Sequence, residues 1–270
     1  MTLRLIFALL TILIFAAPSR AAERETVPVT VEGVTINVYL YKPSGKGPFP
    51  LIVMSHGSPR DAAGRATYGA NTLSAEANTY AASGVMVAVP VRRGYGGIGE
   101  WAENYGSCDK ANYYPAGLES ARDIVAAVAA LKKRADIDPA RVALIGHSAG
   151  GFGSVAAGTS GGVKAIVSFA GGRGSQGPDQ VCNEAGLISA MSRYGGGSTS
   201  VPELWIYSTN DHFFGPALAK RMYDAFKGAG GKAEFVTAPS YGSDGHQYFH
   251  AVSSWKPEVD AFLKRNGVLH

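Results

Sequence analysis

Six short apolar runs, separated by segments with helical periodicity, constrain the fold of this chain more than any other feature of its sequence. The runs contain four to seven residues and do not strictly alternate apolar with polar side chains. This pattern is typical of strands that are buried on both faces of a sheet. The runs lie at 49–54, 86–91, 142–145, 163–169, 204–208 and 233–237.

Helical segments lie between these runs. The clearest spans 116–133 and repeats apolar residues at helical spacing. Its charged residues Glu119, Arg122 and Asp123 are expected to face solvent. Further helices are predicted at 72–82, 150–157, 216–227 and 256–265. The alternation of strands and helices predicts an α/β fold with a mostly parallel central sheet and helices on both faces.

An antiparallel hairpin is predicted before the first buried run. Residues 26–31 and 34–41 alternate apolar and polar side chains around the turn residues Glu32 and Gly33. Such a hairpin supplies an antiparallel N-terminal edge to the sheet. Two long connections, 92–115 and 171–201, follow strands and are expected to overhang the carboxyl edge, where active sites of such sheets lie.

Composition agrees with one large core. The chain has 270 residues, of which 46% are hydrophobic and 17% charged, and these values exclude a disordered or fibrous protein. No repeat or linker marks a second domain, so we predict a single domain over 22–270. The oligomeric state cannot be read from the sequence.

The N-terminus has the order of a secretory signal peptide. Arg4 precedes an apolar stretch at 5–17, and small residues follow around Ala21, where cleavage fits best. The stretch is shorter than the roughly 20 residues that span a bilayer. We therefore predict a signal peptide at 1–21 and export to the periplasm or the medium, with no stable membrane span after cleavage. A retained N-terminal anchor is the alternative.

The two cysteines are informative if the protein is exported. Cys108 and Cys182 form an even pair in a compartment where thiols oxidise, so we predict one disulfide between the two long connections. Closing this loop would stabilise the fold by roughly 4 kcal/mol on the chain-entropy model. Two buried thiols are the alternative.

Charge and motif content argue against several partners. The formal net charge is +4, no run of basic residues occurs, and removal of Arg4 and Arg20 would leave +2. Nucleic acid is therefore not an expected partner. Neither Cys-x-x-Cys nor His-Glu-x-x-His occurs, so no metal or other cofactor is predicted.

The strongest chemical signal is Gly-x-Ser-x-Gly at 146–150, placed between a predicted strand and a predicted helix. At such a turn the backbone is strained and the hydroxyl of Ser148 is exposed for nucleophilic attack. The backbone amide of Ala149 opens the helix and can face a developing negative charge. The glycines keep side chains out of the space between strand and helix.

A serine nucleophile needs a base and an orienting carboxylate. Of the six histidines, His246 lies in a polar loop after the last predicted strand, and we predict it as the base, with His250 as its rival. Asp211 follows the strand at 204–208 and is predicted as the acid. Asp179 and Asp244 remain alternatives.

The second oxyanion donor is expected after the strand at 49–54. Gly57 lets the backbone turn inward there, and the amide of Ser58 is the predicted donor. A purely structural turn is the alternative.

These motifs together resemble the α/β-hydrolase superfamily of serine hydrolases, nearest to its dienelactone-hydrolase-like branch. The matching residues are His56-Gly57, Arg93-Gly94-Tyr95-Gly96, Gly146-His147-Ser148-Ala149-Gly150-Gly151, Asn210-Asp211 and Gly245-His246. The resemblance implies hydrolysis of a small-molecule ester. Dienelactone hydrolases proper carry cysteine as the nucleophile, and this chain carries serine.

Two other functions remain open. A peptidase of the prolyl-oligopeptidase type shares the fold and the triad, although such enzymes usually add a large accessory domain. An exported binding protein could also keep a hydrolase fold after losing catalysis.

Aromatic residues in the first long connection have two interpretations. Tyr95, Trp101, Tyr105, Tyr113 and Tyr114 either wall a substrate cleft or cover the sheet. The sequence 94–99 also matches Gly-x-Gly-x-x-Gly, but no helix is predicted to follow it, so a dinucleotide site is rejected.

Overall fold

An eight-stranded sheet forms the centre of the computed structural model, which describes residues 22–270. The predicted signal peptide at 1–21 lies outside the described residues. In chain order the strands are β1 (Glu23–Val31), β2 (Val34–Lys42), β3 (Phe49–Ser55), β4 (Met86–Pro90), β5 (Ile137–His147), β6 (Ala165–Phe169), β7 (Ser175–Gly177), β8 (Gln180–Val181), β9 (Pro202–Ser208) and β10 (Lys232–Ala238). Strands β7 and β8 form a separate two-stranded ribbon.

The order of strands in the main sheet is β1-β2-β4-β3-β5-β6-β9-β10. From β4 to β10 every neighbouring pair is parallel. The predicted N-terminal hairpin is confirmed, because β1 and β2 pair antiparallel in register from Val31 with Val34 outward. Its turn residues have φ values of 47° at Glu32 and 83° at Gly33, as a tight hairpin turn requires.

Seven α-helices connect the strands in the described part of the chain. They are α1 (Ala62–Ala66), α2 (Ser74–Ala82), α3 (Tyr113–Leu131), α4 (Ala149–Ala157), α5 (Glu184–Gly197), α6 (Pro216–Gly228) and α7 (Val252–Arg265). None of these helices combines the length and the apolar character that a bilayer crossing would need. The predicted arrangement of a mostly parallel sheet flanked by helices is confirmed.

Two hydrophobic cores lie on opposite faces of the sheet. Successive side chains of β3 alternate between them: Leu51 packs in the core that α3, α4, α5 and α6 cover, and Ile52 packs in the core under α2 and α7. All these strand residues are buried, which explains why the sequence shows apolar runs without alternation.

Helix α5 lies within the long connection 171–201, for which the sequence predicts no helix. Its buried residues Leu187, Ala190, Met191 and Tyr194 follow helical spacing, and the Asn183 side chain accepts a hydrogen bond from the Gly186 amide at the start of the helix (3.0 Å). The three glycines at 195–197 disfavour a helix and obscured this signal in the sequence.

The prediction that Asp123 on α3 faces solvent is wrong. Asp123 is 1% exposed rather than solvent-facing, and it accepts hydrogen bonds from the Arg93 backbone amide and from Arg93 Nε, both at 2.7 Å. Arg93 contacts Glu32 and Glu119 as well. This ion-pair cluster fixes the start of the first long connection against α3 and the hairpin turn, so a charge on the inner side of a helix can be paired rather than solvated.

A second buried carboxylate lies at the start of β9. Glu203 is 1% exposed, and it accepts hydrogen bonds from Trp205 Nε1 (2.7 Å) and Ser198 Oγ (3.3 Å). Burial raises the pKa of Glu203 to about 8, although both hydrogen bonds act in the opposite direction. The folded protein therefore holds a proton here that the unfolded chain releases at lower pH.

This proton makes stability depend on pH. Because the pKa of Glu203 rises from 4.5 to about 8 on folding, its contribution to stability is full below pH 4.5 and is lost as the pH rises through 8. Between pH 6 and pH 9 the free energy of unfolding should fall by on the order of 2 kcal/mol more in the wild type than in Glu203→Gln. Urea denaturation at the two pH values measures this difference. Equal pH dependence in both proteins would contradict it.

Candidate active site

Ser148 occupies a sharp turn between β5 and α4. Its φ of 56° and ψ of −122° are strained for a residue with a side chain, and its amide donates to the carbonyl of Phe169 on the next strand (2.9 Å). A side chain at Gly146 would overlap the Gly150 carbonyl, and one at Gly150 would overlap the Ser55 carbonyl. Both glycines of the motif are therefore required for strand, turn and helix to pack together.

The structure brings His246 and Asp211 together. His246 lies in a 3₁₀ turn, Gly245–His250, and its Nδ1 is 3.2 Å from Asp211 Oδ2. The other oxygen of Asp211 accepts the backbone amides of Phe213 (2.7 Å) and Phe214 (2.8 Å). The buried carboxylate is thus fixed in orientation, and the ring of Phe213 stacks on the imidazole at 4.1 Å.

The alternative acids and the rival base are engaged elsewhere. Asp179 pairs with His212 (3.0 Å), and Asp244 accepts the backbone amides of His212 and His246. His250 pairs with the buried carboxylate of Glu76 at 2.6 Å. Of the candidates, Asp211 is the carboxylate whose side chain contacts the His246 ring.

His147, the residue before the serine in the Gly-x-Ser-x-Gly motif, connects the serine turn to the loop of His246. Its Nε2 lies 2.8 Å from the His246 backbone carbonyl, and since a carbonyl only accepts, Nε2 carries the proton. Burial holds the pKa of His147 well below its usual value, and the neighbouring His246 and His250 act in the same direction. Sequence reasoning assigned His147 to the turn and missed this contact.

Ser148 and His246 face the same cavity, of about 420 Å³, which Tyr68, Leu73 and His250 also line. Among residues 22–270, Ser148 Oγ makes no hydrogen bond to His246, although both residues line this cavity. Catalytic hydrogen bonds in ligand-free enzymes are often long and tighten when substrate binds.

The turn after β3 lies against the serine. A Cβ built on Gly57 would be 3.3 Å from Ser148 Cβ, so this position favours a residue without a side chain. His56 supports the turn, because its Nδ1 donates to the Gly57 carbonyl (2.8 Å) and its Nε2 faces the Arg92 amide (3.4 Å). Burial holds the pKa of His56 well below its usual value, and Arg92 adds to this effect.

A second, narrower cavity of about 40 Å³ opens on the other side of Ser148. Ser58 and Ser148 line both cavities, whereas Ala149 lines only the narrow one and His246 only the wide one. The first amides of a helix have no intrahelical partner, so the Ala149 amide is free to face this space. The predicted oxyanion donors therefore lie beside Ser148.

The predicted aromatic cleft is partly wrong. Trp101 and Tyr105 line the narrow cavity, but Tyr95 and Tyr113 are buried, at 0% and 1% exposure. Tyr114 stacks on Tyr194 at 5.1 Å, away from the cavity. Tyr95 and Tyr113 therefore pack in the interior and Tyr114 packs against α5, and none of the three lines the narrow cavity.

The predicted disulfide is confirmed. Cys108 and Cys182 are bonded, with their Cα atoms 5.0 Å apart, and they join the two long connections. Trp101 and Tyr105 from the first connection face Arg173 and Ser175 from the second across the narrow cavity. The bond therefore holds together the segments that form this cavity.

Sequence reasoning missed several residues of the narrow cavity, among them Arg60, Arg173, Phe213 and Phe214. Three of these residues could have been placed at the site from their positions in the chain. Arg173 follows β6 closely, and Phe213 and Phe214 follow Asp211. Residues just beyond the carboxyl ends of parallel strands meet at one edge.

A family model for the prolyl oligopeptidase family matches residues 71–171. No curated protein sequence matches the chain. Among solved structures, a puromycin-hydrolyzing peptidase of Mycobacterium tuberculosis has 21% identity and a TM-score of 0.66, and the match covers 92% of this chain and 40% of that one. An acylaminoacyl peptidase of Pyrococcus horikoshii has 20% identity and a TM-score of 0.69, covering 93% and 43%.

A shorter structure is also similar. An esterase of Pyrococcus furiosus has 15% identity and a TM-score of 0.61, and the match covers 90% of this chain and 93% of that one. The chain spans about two fifths of the length of the two peptidases but nearly all of the esterase. These similarities establish the α/β-hydrolase fold, and together with the family match they support a serine hydrolase without separating peptidase from esterase.

The contact of His147 with the His246 carbonyl should affect how fast Ser148 reacts. His147→Leu removes the donor and leaves a buried carbonyl unpaired, so the loop of His246 should loosen. We expect the rate of Ser148 labelling by a fluorophosphonate to fall by about tenfold or more.

The matched control is His147→Gln, whose amide restores a donor near the position of Nε2. It should recover most of the labelling rate, while the thermal midpoints of both variants show that they fold. Equal labelling rates for His147→Leu and His147→Gln would exclude a positioning role for His147.

Proposed function

We propose that this protein is a serine hydrolase that cleaves a carboxylic ester through an acyl-enzyme intermediate. Ser148 is the nucleophile, His246 the general base and Asp211 the orienting acid. The observation that carries the proposal is the buried His246–Asp211 pair (3.2 Å), whose imidazole lines the same cavity as a serine on a strained turn. This arrangement has the parts that activate an alcohol in water.

The Asp211 contact determines which nitrogen of His246 can act. Asp211 Oδ2 accepts the proton on Nδ1, so Nε2 is left as the acceptor for the Ser148 hydroxyl proton. In the first step, Ser148 Oγ bonds to the ester carbonyl carbon as its proton moves to His246. When the tetrahedral intermediate collapses, the same proton goes to the leaving alcohol.

The oxyanion is assigned to the backbone amides of Ser58 and Ala149. Both residues line the narrow cavity beside Ser148, and α4 directs the positive end of its dipole to this point. Water, activated by His246, then attacks the acyl-enzyme and releases the acid. Removal of one such donor typically lowers the rate by on the order of 100-fold.

Peptide or aminoacyl-amide hydrolysis is the second candidate. The match of residues 71–171 to the prolyl oligopeptidase family and the similarity to two peptidases favour it. The similarity to an esterase over nearly its whole length favours the ester. The triad is common to both reactions, so the leaving group separates them. A dienelactone-hydrolase-like specificity stays a prediction.

Export is part of the proposal. A disulfide between Cys108 and Cys182 is compatible with an oxidising compartment, as is a chain whose described part has no membrane-spanning helix. The N-terminal sequence at 1–21 supports secretion by its order of charged, apolar and small residues.

Substitution of the nucleophile tests the proposal directly. Ser148→Ala should lower the hydrolysis of 4-nitrophenyl acetate by on the order of 1,000-fold or more and should abolish labelling by a fluorophosphonate. Ser83→Ala, at the exposed end of α2, is the matched control and should behave as the wild type. Labelling that persists in Ser148→Ala would show that another residue is the nucleophile.

The same preparations should be assayed with an aminoacyl 4-nitroanilide, which tests the second candidate. We expect kcat/KM for the ester to exceed that for the amide. A larger value for the amide, lost in Ser148→Ala, would identify a peptidase. Lack of activity on both substrates and lack of labelling would favour a binding protein on a hydrolase fold.

A further inference from the structure

The position of His246 shows which side of Ser148 each part of the substrate occupies. In the proposed reaction His246 protonates the leaving group, so the leaving group must lie in the wide cavity that His246 lines. The narrow cavity contains Ala149 but not His246, and it receives the acyl part. Its residues therefore determine which acyl groups react.

The narrow cavity is apolar at its walls and positive in charge. Trp101, Tyr105 and Phe214 supply aromatic walls, and Arg60 and Arg173 are its charged residues. No carboxylate lines the cavity in the part of the chain that the structure describes. An acyl chain placed there would contact both aromatic rings and positive charge.

Arg60 is held at the cavity by neutral groups. Its Nε donates to the Ser175 carbonyl (2.8 Å), its Nη2 donates to Ser175 Oγ (3.0 Å), and its guanidinium lies 4.9 Å from the centre of the Phe213 ring. Within residues 22–270 Arg60 forms no ion pair. Its position is thus fixed while its charge is not neutralised by a carboxylate.

A buried network beside the cavity adds to the positive charge. The carboxylate of Glu103 lies between two arginines, Arg92 (Nε at 2.9 Å) and Arg173, and Ser120 donates to the same carboxylate. All three ionic side chains are at most 2% exposed. Two guanidinium groups and one carboxylate leave one positive charge uncompensated, and burial makes that charge act strongly on its surroundings.

Other carboxylates near this network do not neutralise the charge. Asp123 is paired with Arg93 through both of its oxygens, and Asp211 is committed to His246 and to two backbone amides. Arg173 Nε and Arg92 Nη2 are buried and have no hydrogen-bond partner among the described residues. Buried donors of this kind are normally satisfied, and of the two arginines Arg173 lines the narrow cavity, where its free donor can meet an anion.

We propose that the narrow cavity selects a short acyl group that ends in a carboxylate, which Arg60 and Arg173 bind on the acyl side of Ser148. This inference rests on the proposed function and specifies its substrate as a half-ester of a short dicarboxylic acid. Water adds across the ester bond, the alcohol leaves through the wide cavity with the proton from His246, and the dicarboxylate is released.

Two esters with the same shape and different charge test this proposal. Monoethyl succinate ends in a carboxylate, and ethyl 4-methylpentanoate replaces the two carboxylate oxygens by methyl groups and has the same ethanol leaving group. We expect kcat/KM of the wild type to be at least tenfold higher for monoethyl succinate, because a charge-assisted contact is lost in the neutral ester. Ethanol release measures both reactions.

Variants at Arg60 assign the selectivity to this residue. Arg60→Met should lower the ratio of the two kcat/KM values by about tenfold, and Arg60→Lys should lower it less because it keeps the charge but not the bidentate geometry. Arg265→Met, an exposed arginine on α7, is the matched control and should leave the ratio unchanged. Arg60 is exposed, so its substitution should not prevent folding.

The outcomes separate this inference from the proposed function. Hydrolysis of ethyl 4-methylpentanoate that equals or exceeds that of monoethyl succinate would overturn the anionic acyl site and leave the serine hydrolase intact. A ratio that Arg60→Met does not change would overturn the role of Arg60. If neither ester, nor 4-nitrophenyl acetate, is hydrolysed, the proposed function fails and this inference fails with it.

Discussion

The close approach of two backbone turns, after β3 and after β5, is the constraint on which the rest of the site depends. A side chain at Gly150 would overlap the Ser55 carbonyl, and a side chain at Gly57 would make a tight contact with Ser148. Because these turns meet, Ser58 and Ala149 both line the narrow cavity beside Ser148. His147 then connects the same turn to the carbonyl of His246. Backbone packing thus determines the geometry before any reactive side chain is considered.

Much of this arrangement could be predicted because it depends on local patterns. Apolar runs identified the strands, and Gly-x-Ser-x-Gly between a strand and a helix identified the turn at Ser148. Asp211 and His246 could be proposed because each follows a strand that ends at the same edge of the sheet. In the structure the two side chains meet at 3.2 Å.

The features that sequence reasoning missed depend on contacts between distant segments. The helical pattern of α3 predicts that Asp123 faces solvent. Its burial is explained only by its ion pair with Arg93, which lies in the first long connection. Tyr95 and Tyr113 are aromatic residues of the kind that line substrate clefts, yet both are buried. Arg92 and Glu103 belong to the first long connection and Arg173 to the second, so the three come together only where the two connections meet. The apolar periodicity of the sequence gives no information about such contacts between separate segments.

The disulfide and the buried ionic network act on the same two connections in different ways. The Cys108–Cys182 bond limits how far the connections can separate, and it acts mainly on the unfolded chain. The network of Glu103 with Arg92 and Arg173 fixes the direction of Arg173 but contributes little net stability, because desolvation opposes the attraction. A buried network with more positive than negative charge is therefore better explained by what it binds than by the stability it adds. This is the physical reason to look for an anion on the acyl side of Ser148.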